Sequence, residues 1–430
     1  MYCLIGDPVS HSLSPAIQNY AFVKARIGAL YIPVRVGNGE LGRYMGIFRE
    51  FGVKGMNVTM PHKTDIIPYL DKLDAMAEKI GAVNTVVNYG STLKGFNTDA
   101  TGIIEAVRQV AGKIKGRKAI ILGRGGMARA ASFAFEQEGG ETEMLGREDM
   151  RVESISRRIR GADIICNCTP IGMNGEPSPV PLSLIEKRLL VIDAAYSAVK
   201  TELIRNAERE GCKTITGLQL LINQGAGAFK LWTGLNPDRD GMMRAARSRI
   251  SEIKENGARN IYLVGFMGTG KSTVGRRVAE ALGMKFEDTD SLLVKKFKRP
   301  VKRIIEELGE NEFRRMESNL IKALGNRRGT VVATGGGAVL DYRNIYRMKK
   351  RGIVVLLRAS PETVIERLMG DSSRPLLNGP WGNTDPRKAE SLLSARRNYY
   401  DIARDIDVDT DGMSIEEVAA EITREIGDFR

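Results

Sequence analysis

The chain has 430 residues, of which 42% are hydrophobic and 27% charged, a balance typical of a globular protein with room for two or three cores. Four cysteines are too few for a disulfide scaffold, and the net charge of +13 comes without a basic block interleaved with aromatic residues, so we expect no nucleic-acid partner. No apolar run is long enough for a bilayer span, and the strand-like start YCLIG does not read as a signal peptide, which predicts a cytoplasmic protein without a membrane partner.

Strand-like and helix-like runs alternate along the whole sequence. The strand-like runs include YIPVRV (31–36), VNTVV (83–87), AIILG (119–123), IYLVG (261–265) and IVVLLRA (353–359). This alternation predicts an α/β fold with parallel sheets. A charged polar stretch at 251–259 separates the last apolar helix of the front part from the strand that follows, and we predict that it is a domain linker.

Polar side chains cluster in four short stretches of the first hundred residues. The stretch SHSLS (10–14) stands before a helix that begins with proline, where hydroxyl groups can bind a carboxylate or simply cap the helix. NVTMPHK (57–63) delivers an amide, a hydroxyl and a lysine, and GAVNT (81–85) and GFNTD (95–99) add two more amides and a carboxylate. Many neutral donors beside one lysine and one carboxylate suit a polyhydroxylated ring as the substrate.

A glycine-rich turn connects the next strand to the next helix. Gly123 makes the turn, Gly125 lets a pyrophosphate approach the backbone, and Ala128 permits close packing of the outgoing helix. Gly126 completes the loop between them. The pattern predicts a dinucleotide-binding site in a Rossmann domain.

The end of the following strand indicates which dinucleotide is bound. An NAD site has an acidic residue there for the ribose 2′-hydroxyl, whereas Arg147 suits the 2′-phosphate of NADP. Glu148 and Asp149 follow at once, so the strength of the preference stays open. We therefore expect NADPH or NADP as the cofactor.

Residues 1–250 resemble shikimate dehydrogenases, on these motifs together with NCTPIGM (167–173), DAAY (193–196) and GLxxxIxQ (217–224). The resemblance implies reduction of 3-dehydroshikimate to shikimate, with Lys63 and Asp99 as the catalytic pair. It also implies that substrate is held by Ser12, Ser14, Asn57, Thr59, Asn84, Tyr196 and Gln224, and that Thr169 and Met173 line the cofactor edge. The chain departs from the family at 197–198, where Ser-Ala replaces Asn-Pro, and at 146–148, where Gly-Arg-Glu replaces Asn-Arg-Thr.

The sequence GFMGTGKST (265–273) is a phosphate-binding loop between a strand and a helix. Its glycines let backbone N–H groups turn toward phosphate oxygens, and the helix directs its positive end at the same anion. Lys271 can reach the β- and γ-phosphates of ATP, and Ser272 offers a hydroxyl to Mg²⁺. The residues expected to hold the nucleotide are Gly265, Gly268, Gly270, Lys271, Ser272 and Thr273.

Further polar groups follow in an order that points to the phosphoryl acceptor. Asp288 and Asp290 end the next strand, where one carboxylate can help hold the metal ion and the other can orient an attacking hydroxyl. Arg314 shares a helix face with Glu317, and the glycines of 335–337 leave room for a ligand beside the backbone. A Gly/Pro-rich segment at 371–387 predicts a mobile lid.

Residues 258–430 resemble shikimate kinases by the order and spacing of these motifs. The resemblance implies that shikimate is held by Asp290, Arg314, Arg396, Gly335, Gly336 and Gly337, and that Asp290 orients the 3-hydroxyl or acts as its base. It implies that Lys271 and Arg374 neutralise charge on the transferred phosphoryl group, and that Ser272 and Asp288 bind Mg²⁺. The lid is long for the family, and compressed spacing leaves Arg397 open as an alternative to Arg396.

The sequence therefore predicts a bifunctional enzyme of aromatic amino-acid biosynthesis that uses NADPH and then MgATP on small-molecule substrates. We expect an N-terminal α/β substrate domain (1–100, completed by 218–250), a Rossmann domain (101–217) and a P-loop kinase domain with a five-stranded parallel sheet (260–430). The alternatives are a quinate-type dehydrogenase fused to a kinase, and a regulatory nucleotide-binding protein with one inactive half. The oligomeric state stays open.

Overall fold

The computed structural model describes residues 1–149, 152–173, 175–195, 200–255, 259–368 and 385–428. The chain divides into two compact units at residue 255, apart from the short segment 32–35. No helix within the described residues has both the length and the apolar composition that a membrane crossing requires. The units contain three separate β-sheets.

The first sheet has six strands in the order β2-β1-β3-β5-β6-β4. The strands are β1 (Tyr2–Gly6), β2 (Tyr31–Arg35), β3 (Gly55–Val58), β4 (Lys72–Leu73), β5 (Thr85–Asn88) and β6 (Leu93–Phe96). The prediction of parallel sheets is wrong for part of this sheet, because β5 is antiparallel to both β3 and β6. Only residues 89–92 connect β5 to β6, and a parallel crossover needs a dozen or more residues.

The second and third sheets are parallel throughout, as the alternating pattern predicts. The second has the order β11-β10-β9-β7-β8 and consists of β7 (Lys118–Leu122), β8 (Glu141–Leu145), β9 (Ile164–Asn167), β10 (Leu190–Asp193) and β11 (Lys213–Ile215). The third has the order β13-β14-β12-β15-β16 and consists of β12 (Asn260–Val264), β13 (Lys285–Asp288), β14 (Thr330–Ala333), β15 (Gly352–Arg358) and β16 (Ile406–Asp409).

Helices cover the sheets. Those of the first unit are α1 (Ser14–Lys24), α2 (Leu41–Glu50), α3 (Ala75–Ile80), α4 (Thr98–Ala111), α5 (Gly126–Gln137), α6 (Val152–Arg160), α7 (Glu202–Arg209), α8 (Gly217–Thr233) and α9 (Arg239–Glu255). Those of the second unit are α10 (Lys271–Leu282), α11 (Thr289–Phe297), α12 (Val301–Leu308), α13 (Glu310–Leu324), α14 (Tyr342–Arg351), α15 (Pro361–Leu368), α16 (Pro386–Ala403) and α17 (Ile415–Asp428).

The interior strands of the two parallel sheets are buried on both faces, which explains their nearly continuous apolar sequences. In β7, Ile121 packs into the core on one side of the sheet and Ile120 into the core on the other. In the third sheet, Leu263 of the central strand packs with Val278 of α10. Each phosphate-binding loop therefore starts from a rigid, buried strand.

Helix α9 extends into the stretch that the sequence predicts as a linker. Residues 251–255 are helical, so the first part of the 251–259 segment continues the last helix of the first unit. The reason is apolar packing within a charged run, because Ile250 and Ile253 lie against the core that includes Leu4 and Phe229.

Candidate active sites

Lys63, in the turn after β3, forms an ion pair with Asp99, in the helix that follows β6. The Nζ of Lys63 donates to Oδ2 of Asp99 at 2.6 Å, and the two side chains are only 17% and 8% exposed. Asp99 lies in the first turn of α4, whose N-terminus is capped by the side chain of Asn97 accepting from the Ala100 N–H at 3.1 Å. A lysine held in this way presents its ammonium group at a fixed point with little competing water.

Two buried amides lie beside this pair and are locked in orientation. Asn57 accepts a hydrogen bond from the hydroxyl of Tyr31 at 2.8 Å and donates to the Asn84 carbonyl at 3.2 Å. The side-chain oxygen of Asn84 accepts from the Thr98 N–H at 2.7 Å, and its Nδ2 donates to Oε1 of Gln224 at 3.4 Å. Sequence reasoning missed Tyr31 and Thr98 as supports. The signal for Tyr31 was a phenol within a strand run, where its hydroxyl would need a partner.

The serine-rich loop (10–14) follows β1 of the same sheet. Helix α1 begins at Ser14, and the N–H of Ser14 donates to Oγ of Ser12 at 3.1 Å. The neighbouring strand end approaches closely, because a Cβ built at Gly6 would lie 2.4 Å from Cγ2 of Thr59. The hydroxyl-bearing loop and the Thr59 strand end are thus on one side of the first sheet.

The glycine loop after β7 leaves its backbone open. Gly123 has a φ of +113°, and Gly125 is the N-cap of α5, where an added Cβ would meet no atom within 4 Å. At Gly126, by contrast, an added Cβ would lie 3.3 Å from Cδ of Lys63. Buried Ala128 packs α5 against the sheet. The start of this helix therefore contacts the stem of the lysine, and the open loop beside it fits a dinucleotide pyrophosphate.

One basic and two acidic residues follow the carboxyl end of β8. Arg147 is exposed at the start of a short helical turn. Glu148 and Asp149 both pair with Arg124 of the glycine loop, Asp149 at 3.0 Å. Sequence reasoning missed Arg124, because its partners lie across a strand-helix-strand unit.

The loop after β9 is held by a buried carboxylate. Thr169 donates its hydroxyl to Oδ1 of Asn167 at 2.7 Å, and Nδ2 of Asn167 donates to Oδ1 of Asp193 at 2.9 Å. Burial raises the pKa of Asp193, while hydrogen bonds from Thr201 and Asn167 oppose that rise. Met173 follows in the same loop, its N–H donating to the Pro170 carbonyl at 3.1 Å.

The phosphate-binding loop of the second unit joins β12 to α10. Gly265, Gly268 and Gly270 all have positive φ, between +81° and +147°. The Nζ of Lys271 donates to the carbonyl of Phe266 at 2.7 Å, so the lysine folds back over the loop. Gly268, Gly270, Lys271 and Thr273 line a cleft of about 470 Å³, which is a size typical of ligand sites.

Two oxygen-bearing side chains that suit a metal ion lie together in the lining of this cleft. The hydroxyl of Ser272 donates to Oδ2 of Asp288 at 2.5 Å, and Oδ1 of Asp288 accepts from the Ser291 N–H at 2.8 Å. Hydroxyl and carboxylate oxygens fit Mg²⁺, which retains several of its waters when bound to nucleotides. Asp290 lines the same cleft.

The triple glycine after β14 makes room for charged side chains. A Cβ at Gly335 would lie 2.3 Å from Oε1 of Glu317 and 2.9 Å from Oδ1 of Asp290, and one at Gly337 would lie 2.4 Å from Cζ of Arg314. Arg314 donates to Oε2 of fully buried Glu317 at 2.8 Å. The structure thus brings one guanidinium and two carboxylates together over the glycines.

Charge and burial compete in this cluster. Burial raises the pKa of Glu317, the positive charge of Arg314 opposes the rise, and the negative charge of Asp290 adds to it. Burial also raises the pKa of Tyr400, whose hydroxyl donates to the Gly336 carbonyl at 2.6 Å and whose pKa the charge of Arg396 acts to lower. The sequence indicates Glu317 only as a helix neighbour of Arg314, because the burial of Glu317 depends on tertiary packing.

Arg396 and Arg397 differ sharply in environment. Arg396 is 6% exposed and lies close enough to Glu317 and Tyr400 to influence the pKa of both, whereas Arg397 is exposed. Tyr196, Arg374 and residues 371–384 of the predicted lid lie outside the described residues.

Three family sequence profiles match the chain. "Shikimate dehydrogenase substrate binding domain" matches residues 4–86, "Shikimate 5'-dehydrogenase C-terminal domain" matches 217–247, and "Shikimate kinase" matches 267–427. The matches fall on both units of the structure.

Curated relatives and solved structures match the first part of the chain. Shikimate dehydrogenase (NADP(+)) of Thermococcus kodakarensis is 38% identical, covering 59% of this chain and 97% of the relative, and that of Pyrococcus abyssi is 37% identical, covering 59% and 99%. The structure of Thermus thermophilus shikimate 5-dehydrogenase in complex with NADP(H) and shikimate is 36% identical with a TM-score of 0.53, covering 57% of this chain and 98% of that one. Quinate dehydrogenase from Corynebacterium glutamicum in complex with NAD is 27% identical with a TM-score of 0.52, covering 57% and 98%.

With this fold and these two sites, the chain belongs to the shikimate dehydrogenase family, and a shikimate kinase domain follows the dehydrogenase part. It is a bifunctional enzyme of the shikimate pathway that combines both activities in one polypeptide. The family resemblance and the fold class predicted from sequence are confirmed.

Proposed function

We propose that the enzyme reduces 3-dehydroshikimate to shikimate with NADPH and then phosphorylates the 3-hydroxyl of shikimate with MgATP. The observation that carries the first step is the shielded Lys63–Asp99 pair, which lies against the start of α5 beside the open glycine loop. The direction follows from the chemistry of the second unit, which consumes an alcohol that the first unit can make.

In the reduction, Lys63 delivers a proton to the substrate oxygen. When bound, the reduced cofactor supplies a hydride to the carbonyl carbon. The oxygen gains negative charge, and the Lys63 ammonium neutralises it and transfers its proton there. Asp99 keeps the lysine in place through the 2.6 Å hydrogen bond and then faces a neutral amine.

The polar groups around this pair orient the ring. We assign the carboxylate of the substrate to Ser12 and Ser14, at the N-terminus of α1. We assign the hydroxyl groups of the substrate to the buried amides of Asn57 and Asn84, together with Thr59, Gln224 and Tyr196. The fixed orientation of the amides supports this assignment, because Tyr31 donates to the Asn57 side chain and the Thr98 N–H donates to the Asn84 side chain.

In the phosphorylation, Asp290 orients the attacking hydroxyl. When bound, MgATP supplies the phosphoryl group, with Mg²⁺ held by Ser272 and Asp288 and the nucleotide by the 265–273 loop. Lys271, with Arg374 from the lid, offsets charge on the transferred group. Arg314 and Arg396 bind the carboxylate of shikimate, for which a guanidinium fork is the matching partner.

The contrast between Arg396 and Arg397 yields a direct prediction. Arg396→Gln should raise the KM for shikimate by about 10- to 100-fold, because a buried charged donor is lost. Arg397→Gln, which removes the same charge from an exposed position, should change it less than about two-fold. Shikimate-dependent ADP release measures both, and a larger effect for Arg397→Gln would reverse the assignment.

The two activities can be tested separately on the full chain. NADPH oxidation should depend on 3-dehydroshikimate, and ADP release should depend on shikimate. Quinate with NAD or NADP is the comparator for the first site, since quinate has an extra hydroxyl that the Ser12 and Ser14 loop would have to accommodate. Faster oxidation of quinate than of shikimate would contradict the proposal.

We also propose domain boundaries and a cellular compartment for the protein. We assign residues 1–100 with 218–250 to the substrate domain, 101–217 to the NADP domain and 260–430 to the kinase, supported by the three separate sheets. We place the protein in the cytoplasm, where its four free cysteines would stay reduced.

A further inference from the structure

The side chain of Arg124 spans the gap between the glycine loop and the end of β8. It pairs with Glu148, and its second terminal nitrogen donates to Oδ2 of Asp149 at 3.0 Å. Asp149 has other partners, because its Oδ2 also accepts from the Gly146 N–H at 3.0 Å and its Oδ1 lies 3.5 Å from Arg158. Glu148 is 64% exposed and can move, whereas Asp149 is held by backbone and side chain together.

Unlike an ordinary surface ion pair, this cluster lies at the strand end that discriminates between dinucleotides. In a Rossmann domain the end of the second strand is where the 2′-position of the adenine ribose is read. Arg124 is the second residue of the glycine loop, and Arg147 begins the turn after β8, so the two arginines flank that position. The two acids beside them have the sign that favours a 2′-hydroxyl over a 2′-phosphate.

We propose that Arg124 is a specificity residue for the 2′-phosphate of NADP, and that Glu148 competes with the phosphate for it. On NADP binding, Arg124 exchanges Glu148 for the phosphate, while Asp149 stays on Gly146 and Arg158. The inference rests on the proposed placement of NADP at the glycine loop. It explains how an NADP site tolerates the acid of the Gly-Arg-Glu stretch at 146–148.

The relative strengths of the Arg124–phosphate and Arg124–Glu148 contacts determine the expected preference for NADP. An arginine–phosphate pair is charge-assisted and bidentate, so it outweighs one exposed carboxylate contact. Glu148 nevertheless has to be displaced and then remains as a like charge near the phosphate. The enzyme should therefore prefer NADP, but less strongly than a variant in which Glu148 is neutral.

Direct titration calorimetry of NADP and NAD with the full chain tests this without turnover. Arg124→Gln should weaken NADP binding about 10-fold and leave NAD within two-fold, since only the 2′-phosphate contact is lost. Glu148→Gln should tighten NADP binding about 3-fold and leave NAD unchanged. Raising the salt concentration should weaken NADP binding less in Arg124→Gln than in the parent chain.

A matched control is Arg108→Gln, which breaks an exposed arginine–glutamate pair at 2.7 Å in the same unit and should change neither affinity. Equal weakening of NADP and NAD by Arg124→Gln, or no change in either, would overturn the proposal, as would an unchanged NADP affinity in Glu148→Gln. If the parent chain bound neither dinucleotide, the proposed function itself would fail, which is a different outcome.

Discussion

Lys63→Met should reduce the dehydrogenase kcat by about 10³-fold, in the range that a positioned general acid contributes. The methionine keeps most of the stem that packs against Gly126, so the loop and helix α5 should stay in place. What is lost is the ammonium group that Asp99 holds at 2.6 Å. NADPH oxidation with saturating 3-dehydroshikimate is the measurement.

Two controls make this result specific. Lys72→Met removes the same charge from an exposed residue of the same sheet and should leave both activities unchanged. Shikimate-dependent ADP release by the Lys63→Met variant should equal that of the parent chain, because the kinase site lies in the other unit. A dehydrogenase kcat within ten-fold of the parent value would show that Lys63 is not the proton donor.

Lys271→Met should have the reciprocal effect, with loss of kinase turnover by about 10³-fold and no change in NADPH oxidation. The ammonium group lies over the loop, bonded to the Phe266 carbonyl, where it can turn to the transferred phosphoryl group. Methionine retains most of the length of the side chain but offers no charge to the transition state.

The matched control for this variant is Lys285→Met, on the exposed edge of the same sheet, which should retain full kinase activity. ATP binding by Lys271→Met should weaken less than kcat falls, since backbone N–H groups still cradle the phosphates. Substantial phosphorylation of shikimate by the Lys271→Met variant would contradict the role proposed for the Lys271 ammonium group.

The sequence was sufficient for the parts of the fold that depend on local pattern. Buried apolar runs such as AIILG (119–123) and IYLVG (261–265) predict β7 and β12, and the glycine loops after them predict the turns into α5 and α10. The mixed order of the first sheet was not predictable from alternation, because it depends on the short 89–92 connection. The end of α9 was not predictable either, because charged residues surround Ile253, whose apolar packing extends the helix.

In the sites, too, contacts within one helix could be predicted from the sequence, whereas contacts between distant segments could not. The spacing of Arg314 and Glu317 places them on one helix face, and the structure joins them at 2.8 Å. The sequence could not show that Glu317 is buried against Gly335, or that Arg124 reaches Glu148, because each contact joins segments set by the packing of the sheet. The roles assigned to the site residues, those of Tyr196 and Arg374 included, stay predictions.

One experiment tests the central claim most directly. The purified 430-residue chain is given 3-dehydroshikimate, NADPH and MgATP together, and the products are followed by phosphorus NMR and NADPH absorbance. We expect shikimate 3-phosphate to accumulate, with one NADPH oxidised and one ADP formed for each molecule. Oxidation of NADPH without phosphorylated product, or no oxidation above background, would contradict the account.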